Sequence, residues 1–109
     1  NLTVSATPVI TVVENNIIVV TITKGIEGEV TLYINGEEYD EYAIINSTTG
    51  KATLTLDRLP SGNYTLVAVF SSNVYDRVEN STTFEVIKLN TTIIFVSFYL
   101  TSFSILLSL

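Results

Sequence analysis

Leu59-Pro60-Ser61-Gly62-Asn63-Tyr64-Thr65-Leu66-Val67-Ala68-Val69-Phe70 is the run that decides how the other residues must be arranged. Its first half is a tight polar corner. Pro60 fixes φ, Gly62 permits φ above zero, and Asn63 is a further turn former. Its second half is a strand, because Tyr64, Leu66, Ala68 and Phe70 alternate with Thr65, Val67 and Val69. Both faces are largely apolar, so the strand should lie inside a sheet rather than at its edge. The corner delivers Tyr64 into that strand with its ring toward the core and its hydroxyl returned to nearby backbone.

Outward from this run the chain repeats one pattern, short alternating segments between turn signals. Leu2, Val4 and Ala6 alternate with polar neighbours until Pro8, which suits an edge strand that breaks and resumes over residues 9–13. Ile18, Val20 and Ile22 are expected inside, followed by a glycine-containing loop. Val30, Leu32 and Ile34 form a strand closed by Asn35-Gly36, a pair that accepts the positive φ angles of a type I′ hairpin. The returning strand over residues 37–45 carries Glu37, Glu38, Asp40 and Glu41 around Tyr39 and Tyr42. Ala52, Leu54 and Leu56 face inward just before the corner. The 71–81 segment, from Ser71 to Ser81, reads as the longest irregular connection, and Phe84 and Val86 mark a last strand over residues 83–87. Turn signals every 8 to 12 residues and no helical period predict an all-β, antiparallel sandwich of about seven strands. Ile18, Val20, Leu32, Leu54, Leu66, Ala68 and Phe84 are its expected core.

Composition narrows the function. With 5 Lys and Arg against 11 Asp and Glu, the net charge of −6 opposes nucleic-acid binding, which depends on a basic footprint. The same balance opposes attachment to anionic lipid through basic residues. The chain has no His and no Cys, so the common nucleophile–base pairs are missing, and no enzymatic role or cofactor is expected. The acidic residues of the hairpin, with Asp76 and Glu79, lack the converging loop spacing of a calcium site, and no metal is expected. On an edge hairpin such charges more commonly prevent sheet-to-sheet aggregation.

Five Asn-x-Ser/Thr sequons occur, at Asn1, Asn46, Asn63, Asn80 and Asn90, more than the composition alone would supply. Asn1, Asn46, Asn80 and Asn90 are candidate glycosylation sites, while Asn63 abuts the corner and is the least suited. Asparagine is also simply a turn residue, and that reading stands beside the first. Tyr33, Tyr39, Tyr42 and Tyr75 could present an aromatic surface to carbohydrate or protein. They are equally ordinary residues of half-buried strands.

The tail differs from the rest. Residues 91–109 carry no charge. As a helix they would span roughly 28 Å, close to the ~30 Å of a hydrocarbon core. Ser and Thr within the stretch, a β-prone opening and the lack of a basic residue after it argue the other way. A membrane anchor and the start of a truncated next repeat are both open, the second because Asn90-Thr91-Thr92-Ile93 echoes Asn1-Leu2-Thr3-Val4. The expected organisation is therefore a sandwich over residues 1–89 and an apolar tail over 90–109. With neither an initiator Met nor a signal peptide, the chain is expected to be a piece of something longer.

Five runs in fixed order carry a family resemblance: Tyr33-Ile34-Asn35-Gly36, Gly50-Lys51-Ala52-Thr53-Leu54, Leu59 to Thr65, Phe70-Ser71-Ser72-Asn73-Val74-Tyr75, and Thr82-Thr83-Phe84-Glu85-Val86. Together they resemble one bacterial-type immunoglobulin-like repeat, a kind found in tandem in adhesin-like surface proteins of methanogenic archaea. The 71–75 run is less acidic than the loop common in that family. The resemblance implies an immunoglobulin-like fold, an extracellular cell-surface location and a non-enzymatic module that spaces binding regions for cell adhesion. Neighbouring repeats in the same chain would be its partners. Two other roles remain: a recognition domain binding surface glycan or protein through the 71–81 loop and the acidic hairpin, and an accessory domain of a larger surface enzyme.

Overall fold

The computed structural model describes residues 1–89. Among the described residues the chain forms eight strands: β1 (Thr3–Ser5), β2 (Val9–Thr11), β3 (Ile17–Thr21), β4 (Glu29–Ile34), β5 (Glu37–Ile44), β6 (Lys51–Thr55), β7 (Gly62–Ser71) and β8 (Val78–Ile87). They lie in two sheets, β1-β3-β6 and β2-β8-β7-β4-β5. Among the described residues no helix is long and apolar enough to cross a membrane. The tail and Asn90 lie outside the described residues.

Alternation sets the two layers. Ile18, Val20, Ala52, Leu54 and Leu56 point inward from the smaller sheet, and Val30, Leu32, Leu66, Ala68, Phe70, Phe84 and Val86 from the larger one, all buried. Their outward neighbours are rich in Thr and Val, whose branched side chains fit a pleated surface. All seven expected core residues are buried. β7 lies between β4 and β8, so the strand after the corner is interior as expected. Asn35 and Gly36 hold φ angles of 50° and 86°, the conformation a type I′ hairpin demands.

Three expectations are corrected. Pro8 does interrupt the first strand, but the two halves do not continue one edge. β1 pairs antiparallel with β3 in one sheet, whereas β2 pairs parallel with β8 in the other, with Ile10 beside Val86. Proline lacks the N–H a continuing ladder needs, and the chain crosses between sheets at that point. The last strand begins at Val78, not Thr83, leaving only residues 72–77 irregular. Residues 78–82 look polar because Glu79, Asn80 and Ser81 are exposed, and Asn80 bonds across to Leu2, just before β1.

The third correction concerns β5. Thr31 stands opposite Tyr42 while Tyr33 stands opposite Glu38, so three residues of β5 face Leu32 alone. Such a bulge re-aims side chains. Here it breaks the regular alternation expected of the returning strand and turns Tyr39 toward the core, in line with the half-buried-strand reading of the tyrosines.

The parallel β2–β8 pairing fixes the course of the chain. Leu2 lies near Asn80, close to the start of β8, and residues 88–89 follow its far end. The first residues therefore sit at one pole of the sandwich, with the turns at 22–28, 46–50 and 72–77. The last described residues leave from the opposite pole, with the hairpin Asn35-Gly36 and the Pro60 corner. These are the amino and carboxyl poles below.

Candidate functional site

The corner closes as its sequence demands. The Tyr64 hydroxyl donates to the Pro60 carbonyl at 2.6 Å, and the ring stacks on Phe84 with centroids 5.3 Å apart. Gly62, at φ 155°, already pairs with Val86, so the turn passes into β7 without a break. A tyrosine at the start of the penultimate strand, bonded back four residues onto the preceding turn, is the tyrosine corner of two-sheet sandwiches. The fold is immunoglobulin-like. No protein-family model matches the chain, and no curated protein matches it. Among solved structures, the sandwich is similar to that of a Jonesia denitrificans lytic polysaccharide monooxygenase determined by neutron crystallography, with a TM-score of 0.51. Sequence identity is 14% over 76% of this chain, which spans 58% of the length of that one. At that identity the likeness concerns the immunoglobulin-like architecture alone.

Four further side chains lace the sandwich shut, and none of their bonds is legible in the sequence. Asn16 is buried, with its Oδ1 accepting from the Thr7 N–H and its Nδ2 donating to the Thr7 carbonyl, both at 2.9 Å. Its own carbonyl accepts from the Leu56 N–H, and Asn15 Nδ2 donates to the Leu56 carbonyl. Asn80 Nδ2 donates to the Leu2 carbonyl at 2.9 Å, joining β8 of one sheet to the start of the other. On the opposite side the Tyr39 hydroxyl accepts from the Asp57 N–H at 2.9 Å. Burial pushes the Tyr39 phenol above its ordinary pKa, and the nearby carboxylates of Asp57 and Glu41 add to this, while the Asp57 N–H opposes it. A turn-forming Asn and a buried clamp Asn look alike in sequence. Only the spacing to Thr7 and Leu56 in the folded chain tells them apart.

At the amino pole these elements leave a groove of about 700 Å³. Its walls are the Gly25 to Glu29 loop, Ile44 at the end of β5, and the β7–β8 turn with Ser72, Val74 and Tyr75. The turn is held by the Ser72 hydroxyl, which accepts from the N–H groups of Val74 and Tyr75. The floor depends on Gly28, where a Cβ would collide with the Phe70 ring and the Ser71 carbonyl. Ile44 and Val74 are 71% and 81% exposed, and Glu27 and Glu29 line the same groove. Among the described residues no three acidic side chains converge as metal ligands would.

The other anticipated site residues scatter. The two halves of the expected recognition surface do not meet, because Glu37 and Glu38 pair beside Ile34 and Tyr33 toward the carboxyl pole, and the 72–77 turn lies at the amino pole. Of the four tyrosines, Tyr42 and Tyr75 are exposed, whereas Tyr33 is half-buried and Tyr39 is committed to Asp57. Asn1, Asn46 and Asn80 are exposed residues, but they differ in what their amides do. The Asn46 Oδ1 accepts from the Thr48 N–H in an Asx turn, and the Asn80 Nδ2 is engaged by Leu2. Asn46 and Asn1 stand at the amino pole. Asn63 opens β7 beside the corner.

Proposed function

We propose that this chain is a non-enzymatic module of an adhesin-like surface protein, a stiff extracellular spacer that holds binding regions away from the cell envelope. One observation carries the reading. β2 and β8 run parallel and adjacent, so the chain comes in at one pole and leaves from the other. Copies joined in series would then extend end to end, each adding roughly the ~33 Å rise of a ten-residue strand. The cross-sheet bonds of Asn80 and Tyr39 support stiffness, because they tie both open sides of the sandwich, and Asn16 holds the crossover at Thr7 to the ends of β3 and β6. The bulge and the four acidic residues of β5 support solubility along its flank, where an exposed edge would otherwise pair with another chain. The resemblance to archaeal surface repeats and the run of sequons accord with an extracellular setting, and the apolar tail would serve as the anchor.

Small-angle scattering from one, two and three copies in series tests the spacer. Its maximum dimension should rise by one module length per copy. Growth that saturates after the first copy would remove the reading.

A second role is favoured by the groove at the amino pole, which would take an extended glycan or peptide against Ile44, Val74 and Tyr75. Titration of the folded chain with mixed oligosaccharides and peptides would separate this recognition role from pure spacing.

A further inference from the structure

Of the asparagines in the chain, only Asn35 is followed by glycine. The pair forms the tip of the β4–β5 hairpin and is exposed, with φ angles of 50° and 86°. A Cβ placed on Gly36 would meet nothing within 4 Å, so no neighbouring group shields its backbone nitrogen from that side. Every other asparagine amide is followed by a residue whose own side chain crowds the next backbone nitrogen.

Asn35 is also tied across the sheet. Its N–H donates to the Thr65 carbonyl at 2.9 Å, and its Oδ1 accepts from the Thr65 N–H at 2.8 Å. The side-chain oxygen takes the place of a backbone carbonyl and extends the β4–β7 ladder one pair beyond Ile34 and Leu66.

This juxtaposition carries a covalent chemistry that needs only base and water. The Gly36 nitrogen attacks Asn35 Cγ, a new C–N bond closes a five-membered imide, and the side-chain nitrogen leaves as ammonia with the Gly36 proton. Water then opens the imide at either carbonyl. Opening at Cγ leaves an aspartate. Opening at the main-chain carbonyl leaves an isoaspartate, in which the chain runs through Cβ and Cγ. Ring closure requires the Gly36 nitrogen to swing toward Cβ about the Asn35 Cα–C bond. A type I′ turn holds that bond at a ψ of about 30°, far from the ring geometry. The bond from Thr65 pins the amide as well.

We infer that Asn35 is a self-modification site of this module and that the hairpin is its gate. The folded turn holds the amide off Gly36, and opening of the hairpin releases it. This goes beyond the spacer reading and does not rest on it. The two products differ in consequence. An aspartate keeps an acceptor for the Thr65 N–H, now charged and stronger. An isoaspartate adds one atom to the backbone of a two-residue turn whose length fixes the β4–β5 register, so the hairpin cannot reclose as before. An opening that ends in isoaspartate therefore marks the module permanently.

The test holds the full chain in non-ionic detergent, which covers the tail, at mildly alkaline pH. One portion stays folded and the other is kept in urea above its unfolding transition. Peptide mapping resolves asparagine, aspartate and isoaspartate at each position over time. Asn35 should be the first asparagine modified, and the unfolded portion should react about tenfold faster or more. Returned to native buffer, the isoaspartate fraction should unfold at lower urea than unmodified chain, whereas Asn35→Asp should match the wild type. Equal rates in the two portions would remove the gate. Earlier modification at another asparagine, or none at Asn35 in urea, would remove the site. An isoaspartate fraction as stable as the wild type would remove the permanent mark.

Discussion

The hydroxyl of Tyr64 and the carbonyl of Pro60 are joined by a 2.6 Å hydrogen bond that closes the link between the two sheets. The link leaves β6 of one sheet and starts β7 of the other. Tyr64→Phe keeps the ring against Phe84 and removes only the donor. It should lower stability by roughly 1 kcal/mol, the usual net value of one such bond. Urea unfolding at an unchanged m value would show it.

Tyr39 makes the opposite use of the same group, since its hydroxyl accepts from Asp57. Tyr39→Phe should cost about 1 kcal/mol at neutral pH by stranding that N–H. A second signature is pH-dependent. Because the folded phenol titrates above its unfolded value, its contribution is complete below the ordinary tyrosine pKa of about 10 and disappears as pH rises through the folded value. Wild type should therefore lose part of its stability on that alkaline limb, and the Phe variant should lack that part. Parallel denaturation at pH 8 and above the tyrosine range measures the difference.

Asn16 is the most exacting position, because among the described residues it is the one buried polar side chain and both of its amide atoms are used. Asn16→Leu should destabilise by roughly 3 kcal/mol, leaving the Thr7 N–H and carbonyl without partners. Asn16→Asp keeps the acceptor for the N–H but sets a carboxylate against the Thr7 carbonyl. It should recover stability as the pH falls and the carboxyl becomes a donor.

The sequons should not be equivalent on the folded chain. Asn46 sits in an Asx turn with no bond from its Nδ2, whereas the Nδ2 of Asn80 is held by Leu2. Expressed in a host that glycosylates Asn-x-Ser/Thr, the module should carry glycan at Asn46 and little or none at Asn80. Peptide mass spectrometry after deglycosylation in heavy water gives the occupancy at each.

How far the sequence could be read follows from which forces act locally. Alternation of Ile18 with Val19 and of Leu66 with Val67 is a local property, and so is the positive φ of Asn35-Gly36, so strands, core and hairpin were all legible. The corner was legible too, because Tyr64 and Pro60 are four residues apart. Partners distant in the chain were not. Asn80 and Leu2 are separated by 78 positions, and nothing in a polar run announces that its Asn will cross to the other sheet. The same holds for Tyr39, whose aim depends on a bulge that only the pairing with β4 creates. The groove is half legible, since Ser71 to Ser81 reads as an irregular connection, but nothing local marks Ile44 as its wall.

The most direct measurement of the spacer is single-molecule extension of a tandem array pulled from its two ends. Force applied through the first and last residues of a module loads the parallel β2–β8 pair in shear, so its hydrogen bonds must break together. The account predicts all-or-none unfolding events, each releasing roughly 280 Å of chain at ~3.3–3.6 Å per residue. It also predicts a higher unfolding force than when the same module is pulled through attachment points at Asn35 and Gly50. Equal forces in the two geometries, or gradual lengthening without discrete events, would contradict it.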